Sequence, residues 1–203
     1  MNFDWISYLL PALCCFFMIG TVILAAIMGY LSSQKRDAAW QELAARNGLR
    51  FEPGGMFSYP SLSGLYRGHN LWLRNIRRTH GKKHARTYTR LVLSLNNRAN
   101  IRFGLYDEDI FSGVIKALGV QDVRTGDETV DERFMIKSQP ETFAPSLFAS
   151  ASLRERLLRV KPMNLTLEGN ELVFEQNGML TDTEQLQFLF DLLVDVADRV
   201  ERG

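Results

Sequence analysis

Two histidines stand four residues apart at His80 and His84, the spacing that places two metal ligands on one face of a helix. A glycine and two lysines lie between them, and arginines flank the pair on both sides. Fixed positive charge repels a divalent cation before the imidazole nitrogens can coordinate it. We therefore interpret residues 77–86 as a cationic loop, and the sequence predicts neither a metal site nor a cofactor.

Acidic side chains are concentrated around Gly126, at Asp122, Asp127, Glu128, Asp131 and Glu132. A calcium loop alternates carboxylates and then places a glycine and a distal glutamate at fixed positions, and this stretch does not follow that order. We expect turn and capping roles for these carboxylates. The chain also lacks a nucleophile elbow, a phosphate-binding glycine loop, a dinucleotide fingerprint and a zincin helix, so no catalytic residue is predicted.

Charge is distributed unevenly along a chain of 203 residues whose formal net charge is only +1. Residues 53–106 contain ten basic side chains and no acidic one, whereas residues 107–203 contain ten basic and nineteen acidic side chains. The near-neutral total excludes a general attraction of the whole protein to nucleic acid. A partner would instead be recruited by the basic segment, residues 67–102.

Three interpretations of the basic segment remain open. Acidic surfaces of the C-terminal half can neutralise it, or it can contact an acidic protein or anionic lipid, where each Lys or Arg gains about 1 kcal/mol. Nucleic acid is the least favoured partner, because Tyr66, Trp72 and Tyr88 interleave with the arginines but no recognised nucleic-acid motif accompanies them. The candidate lipid- or partner-binding residues are Arg74, Arg77, Arg78, Lys82, Lys83 and Arg86.

Alternating apolar residues predict a sheet. The alternation covers residues 91–95 and 101–105, on either side of a turn-rich stretch, and we expect these two runs to form a hairpin. A second hairpin is predicted where Leu165 and Leu167 face Leu172 and Phe174 across a Gly-Asn turn. Further strands are expected at residues 49–52, 62–67, 70–76 and 133–137.

Helical spacing and capping signals predict four helices after the N-terminal apolar run. They are a juxtamembrane helix closed by Gly48, a helix at 109–118, a short helix opened by a capping box at 152–155, and a C-terminal helix opened by a capping box at 181–184. The last one is apolar over roughly half its circumference and needs a sheet to cover it. Its predicted inner face contains Leu186, Leu189, Phe190, Leu193, Ala197 and Val200.

The N-terminal stretch has no charged residue between Asp4 and Lys35, and residues 9–31 form an apolar run of 23 residues. As a helix this run spans about 35 Å, more than a hydrocarbon layer of about 30 Å. A cleaved signal peptide would need a basic start and a shorter apolar run. We therefore expect a permanent transmembrane anchor, which would also contain the only two cysteines, Cys14 and Cys15.

Basic residues set the expected orientation of the anchor. Lys35 and Arg36 follow the apolar run and no basic side chain precedes it, which places the rest of the chain in the cytoplasm. Ala25 and Gly29 form a small-x-x-x-small pair that would let two such helices approach, so a homodimer is a further option.

Distance limits the lipid interpretation of the basic segment. An upright juxtamembrane helix would lift the following domain by about 22 Å. Surface charges are screened over about 8 Å at physiological salt. We therefore expect the basic loop to reach lipid only if that helix lies down or the domain folds back.

Three stretches of the C-terminal half carry a family resemblance. Residues 121–127 (QDVRTGD), 130–138 (VDERFMIKS) and 153–158 (LRERLL) resemble a pattern of bacterial membrane-anchored domains of unknown function. In that pattern a Thr-Gly-Asp turn and an Asp-x-x-Phe-x-Ile segment precede a short helix, a hairpin and a C-terminal helix. The resemblance covers roughly residues 40–200. It implies an anchored α+β domain and no catalytic residues.

The sequence thus predicts a transmembrane anchor at 1–32, a juxtamembrane helix at 33–48 and one cytoplasmic α+β domain at 49–203, with a mostly antiparallel sheet packed by the long C-terminal helix. We expect a single-pass protein of the bacterial inner membrane that acts as an interaction module. Its partners would be the lipid bilayer and either anionic headgroups or an acidic protein. The alternatives are an uncharacterised enzyme and a structural subunit of a membrane complex.

Overall fold

The computed structural model describes residues 5–55, 58–80, 84–107 and 122–202. The chain begins with one continuous helix, α1, over Trp5–Asn47. The predicted anchor and the predicted juxtamembrane helix therefore belong to a single element. Among the residues that the structure describes, no helix combines the length and the hydropathy needed to cross a membrane.

The rest of the described chain folds into α+β structure with an antiparallel sheet, as predicted. The sheet contains eight strands in the order β1-β2-β3-β4-β8-β7-β5-β6. The strands are β1 Arg50–Glu52, β2 Ser61–Tyr66, β3 His69–His80, β4 His84–Ser94, β5 Arg102–Asp107, β6 Phe134–Gln139, β7 Asn164–Glu168 and β8 Glu171–Asn177. The helices after α1 are α2 Glu128–Arg133, α3 Phe143–Phe148, α4 Ala151–Arg159 and α5 Thr183–Arg202. The helix predicted at 109–118 lies outside the described residues.

The predicted hairpin between residues 91–95 and 101–105 is wrong. Both strands exist, but the β7–β8 hairpin lies between them, with β8 paired to β4 and β7 paired to β5. The connecting segment crosses the end of this hairpin. There Leu95 N donates to Asn170 O at 2.9 Å, and Asn97 Nδ2 donates to Gly169 O at 2.7 Å. Two strands therefore separate β4 from β5 in the sheet.

The hairpin predicted across Gly169 and Asn170 is confirmed. Leu165 pairs with Phe174 and Leu167 pairs with Leu172, in the predicted register. All four side chains are buried in the core. Gly169 adopts a φ of 56°, a left-handed conformation that suits the tight turn.

The C-terminal helix α5 covers one face of the sheet, and its predicted inner face is buried throughout. The cap lies one residue later than predicted, because the Asp182 carboxylate accepts from Glu184 N at 2.9 Å and from Gln185 N at 3.2 Å. The other predicted capping box is also wrong. Helix α4 ends before Pro162 as expected, but its N-cap is Ser150 and no side chain caps it.

The C-terminal end of α1 belongs to the core. Trp40, Leu43 and Ala44, predicted to share one face, are each at most 2% exposed. The Trp40 indole N–H donates to Leu180 O at 2.9 Å. Gly48 follows the helix with a φ of 65°, as its predicted role at the helix end requires.

The acidic stretch around Gly126 forms a turn, as its spacing predicted. Asp127 caps α2, and the Asp131 carboxylate accepts from both the backbone N and the hydroxyl of Thr125 at 2.7 Å. Burial opposes ionisation of Asp131, but the hydrogen bonds from Thr125 and Gly126 outweigh it and hold the pKa of that carboxyl below its usual range. The strand predicted from Arg133 begins at Phe134, because Arg133 ends α2.

Candidate functional site: a basic β-ribbon

The loop predicted at 77–86 is instead mostly a two-stranded ribbon. Strands β3 and β4 remain paired out to His80 opposite His84. By contrast, β2 pairs with β3 only up to Arg74, and β8 pairs with β4 only from Thr89 onward. The β-branched and aromatic residues between the arginines favour strand, which the charge-based interpretation overlooked. We call residues 76–80 and 84–88 the ribbon; Lys82 and Lys83 lie outside the described residues.

Successive side chains along β3 and β4 point to opposite faces of the sheet. Leu71 and Leu73 point into the core under α5, so Trp72, Arg74 and Arg78 point the other way. On this outer face Arg74 lies opposite Arg90, and Arg78 lies opposite Arg86. Two pairs of like charges thus face each other across the hairpin, which is destabilising unless an anion intervenes.

Glu175 on β8 supplies that anion for one member of each pair. Its carboxylate, on a residue only 7% exposed, accepts from Arg78 at 2.8 Å and from Arg90 at 3.1 Å. The expectation that acidic residues of the C-terminal half neutralise the basic segment is therefore correct for these two arginines. Arg67 is a third case, since it pairs with Asp191 at 3.0 Å.

The other candidate arginines have no such partner. Arg74, Arg77 and Arg86 are exposed or half-buried, and within the described ranges none of them forms an ion pair. Arg77 lies on the face opposite to Arg78 and Arg86, so the ribbon presents arginines on both sides. These three residues remain available to bind an anionic partner.

The three aromatic residues that interleave with arginines do not form one stacking surface. Trp72 is 41% exposed on the outer face, and Tyr88 lies half-buried on the same face opposite Ile76. Tyr66, however, lies in the core, where its hydroxyl donates to Asp191 Oδ1 at 2.6 Å and its ring meets Phe190 edge-on. Base stacking along all three residues is therefore excluded.

A shallow depression of about 250 Å³ lies beside the ribbon on the outer face. Its lining includes Arg78, Arg90, Glu175, Thr166 and Val173. This volume is below the range of about 300–1,000 Å³ that small-molecule sites occupy. The depression contains no paired nucleophile and general base, and it gives no support to the enzyme alternative.

The two spaced histidines do not have the arrangement that their sequence spacing suggested. His80 and His84 are register partners at the end of the ribbon rather than neighbours on a helix. Among the residues that the structure covers, no group of three or more His, Cys, Asp or Glu side chains is placed to hold a metal ion.

Glu175, which pairs with two arginines of this site, was not predicted from the sequence. Alternation around Leu172 and Phe174 places residue 175 on the outer face of its hairpin. Nothing in that pattern says which strand lies next to β8, so its arginine partners become visible only in the strand order.

Comparison with known proteins gives a likeness of fold. No family model matches the chain, and no curated protein matches it. Among solved structures, the crystal structure of the mycobacterial trehalose monomycolate transport factor A, TtfA, is similar, with a TM-score of 0.50 and 12% sequence identity. The match covers 79% of this chain and 93% of that chain. At this identity the likeness concerns the fold alone, and the resemblance to bacterial membrane-anchored domains stays a prediction.

Proposed function

We propose that this chain is a single-pass, membrane-anchored interaction module that holds its sheet domain at the cytoplasmic surface of a bacterial inner membrane. This proposal rests on a difference in side-chain exposure between two parts of α1. Nine large apolar side chains between Phe17 and Leu31 are 48–75% exposed, whereas Trp40, Leu43 and Ala44 are buried. A contiguous apolar surface of this kind requires a partner, and a bilayer is the partner that fits the charge-free part of α1 before Lys35.

The basic ribbon supplies the interaction surface of the proposed module. Arg74, Arg77 and Arg86 are free to bind an anion, and they lie on a pair of strands anchored in the core. Strand pairing places these arginines before a partner binds, which lowers the conformational entropy lost on binding. The partner is anionic, either lipid headgroups or an acidic protein surface.

Membrane fractionation of the full-length chain tests the anchor. We expect the protein to remain in the membrane fraction after alkaline carbonate extraction, and a protease added outside intact spheroplasts should leave residues 49–203 uncut. Recovery of the unmodified chain in the soluble fraction after ordinary lysis would contradict the proposal.

A charge-insertion pair makes the test specific to the apolar part of α1. Ile19→Glu with Ile23→Glu places two carboxylates among exposed apolar residues, each costing roughly 2.5–3.5 kcal/mol at a bilayer centre, and should release the protein. Gln41→Glu with Ala45→Glu adds the same charge to exposed positions of the same helix beyond the apolar run. That control should stay in the membrane fraction.

A further inference from the structure

We infer that the end of the ribbon contacts the anionic headgroups of the same bilayer that holds α1. This inference rests on the proposed anchor and specifies which anionic partner the ribbon binds. It follows from the direction in which the ribbon leaves the sheet, from its length, and from the charges that it carries.

Two sets of contacts fix the direction of α1 relative to β3. Just after α1, Leu49 packs against Gly64, where an added Cβ would lie 3.1 Å from Leu49 Cδ2, and Gly64 pairs with Leu71. Nine residues earlier in the chain, Trp40 donates to Leu180 O, and Leu180 N donates at 2.9 Å to the hydroxyl of Thr89.

Thr89 is the register partner of Asn75. The direction from Leu49 to Trp40, toward the N-terminus of α1, is therefore the same as the direction from Leu71 to Asn75 along β3. The N-terminal part of α1 and the ribbon consequently leave the domain in the same direction.

The lengths of the two elements agree. From Asn75 to His80 the ribbon extends about 17 Å at 3.3 Å per residue. The same distance along α1 from Trp40 covers about eleven residues at 1.5 Å each and ends near residue 29. Residues 29–31 end the apolar run, and Lys35 and Arg36 follow four and five residues after it. The end of the ribbon is thus level with the expected bilayer surface.

This placement answers the difficulty that an upright juxtamembrane helix would hold the basic residues too far from lipid. An upright helix lifts the sheet away from the membrane, but the ribbon extends from the sheet back toward the membrane and covers that distance. The ribbon arginines Arg77 and Arg86 lie within about 10 Å of the end of the ribbon along the strands, which brings their long side chains toward the headgroups. The domain therefore reaches lipid without folding back.

The chemistry of the ribbon suits phosphate-bearing headgroups. Arg77 and Arg86 are exposed and, within the described ranges, have no carboxylate partner. Guanidinium groups bind phosphate oxygens in bidentate fashion. Each basic side chain brought to an anionic surface strengthens binding by about fivefold. An acidic protein would satisfy the same charges, but the height of the ribbon favours the membrane.

The test uses the full-length chain reconstituted in vesicles, with Cys14 and Cys15 replaced by alanine and a fluorophore on Ala85→Cys, an exposed ribbon position. Vesicles of phosphatidylcholine are compared with equal mixtures of phosphatidylcholine and phosphatidylglycerol, each containing a headgroup-labelled quencher. We expect strong quenching only in the anionic vesicles, and its loss at about 1 M salt, where the screening length falls to about 3 Å.

A matched pair of variants separates the ribbon from the overall charge. Arg77→Glu with Arg86→Glu should lower the contact equilibrium by at least about 25-fold, because two basic side chains are withdrawn. Arg98→Glu with Arg102→Glu makes the same charge change at exposed positions at the other end of the hairpin's strands, in the segment after β4 and at the first residue of β5, and should leave quenching unchanged. Equal losses in the two variants would overturn the inference.

The outcomes of the experiment separate a failure of this inference from a failure of the anchor proposal. If the chain does not float with the vesicles, the anchor proposal fails. If it floats but quenching is the same in neutral and anionic vesicles, the ribbon does not bind lipid while the anchor stands. The lipid and salt arms use unchanged arginines, so they remain decisive even if the glutamate variant fails to fold.

Discussion

The two halves of the β3–β4 hairpin have the same backbone structure and opposite surroundings. The inner half, residues 71–75 with 89–93, is flanked by β2 and β8, and its leucines at 71, 73, 91 and 93 are at most 1% exposed. The outer half is the ribbon, which in the described structure meets neighbouring segments where Gly178 bridges Tyr88 and donates to Thr87 O, where Tyr59 hydrogen bonds to Thr87, and where Arg78 pairs with Glu175. Hydrophobic burial holds the first half, whereas cross-strand pairing and these few polar contacts hold the second.

This difference shows where the core ends and where surface chemistry begins. The inward-facing apolar alternation stops at the buried polar pair Asn75 and Thr89, whose side chains hydrogen bond at 3.1 Å. Beyond that pair the inward position is taken by Arg77. One continuous pair of strands therefore serves as scaffold at one end and as a charged surface at the other.

The largest expected effect is a cavity in the inner half. Leu73→Ala removes a fully buried side chain and should lower the free energy of unfolding by about 3 kcal/mol. Ile76→Ala, three residues on and half-buried in the ribbon, should cost less than about 1 kcal/mol. Urea unfolding of the full-length protein in mild detergent, followed by tryptophan fluorescence, measures both; equal costs would remove the distinction between the halves.

The next effect concerns the boundary between the halves. Trp40→Phe deletes the indole N–H that satisfies Leu180 O and leaves a small void, so we expect a loss of about 2 kcal/mol. Because Leu180 in turn bonds Thr89, backbone amides near Thr89 should also exchange hydrogen faster. Unchanged exchange at these amides would mean that α1 does not support the base of the ribbon.

A smaller effect is expected from the carboxylate beside the ribbon. Glu175→Gln keeps the shape but leaves Arg78 and Arg90 without a counter-charge, and should cost about 1 to 2 kcal/mol, since both arginines are partly exposed. The loss should shrink at high salt. Glu171→Gln on the same strand, exposed and outside any described ion pair, is the control and should change stability by less than about 0.5 kcal/mol.

The smallest effect is expected in the ribbon itself. Arg77→Ala removes an exposed side chain without an ion pair in the described structure, so stability should change by less than about 0.5 kcal/mol. A thermal melt beside the unmodified protein measures this. A loss above about 1 kcal/mol would show that Arg77 supports the fold and would weaken its assignment to a binding surface.

Local patterns in the sequence predicted those parts of the fold that depend on neighbours in the chain. The Gly169-Asn170 turn dictated the β7–β8 hairpin and its register, and the apolar stripe of α5 identified its buried face. The end of α1 was predicted equally well, because Trp40, Leu43 and Ala44 are spaced as one helical face.

Parts that depend on distant partners could not be predicted in this way. Residues 91–95 and 101–105 look like a hairpin, yet the β7–β8 hairpin pairs with both strands and lies between them. The candidate site was predicted only in part for the same reason. The charge count located the arginines, but only the strand order shows that Glu175 neutralises Arg78 and leaves Arg77 and Arg86 free.

The insertion of β7–β8 between β4 and β5 has a consequence for synthesis on the ribosome. After Ser94 is made, β4 keeps an open edge until the chain has been extended to Asn177. That is about 83 further residues, or roughly 4 to 17 s at 5–20 residues per second. An open apolar edge is prone to pair with other nascent chains.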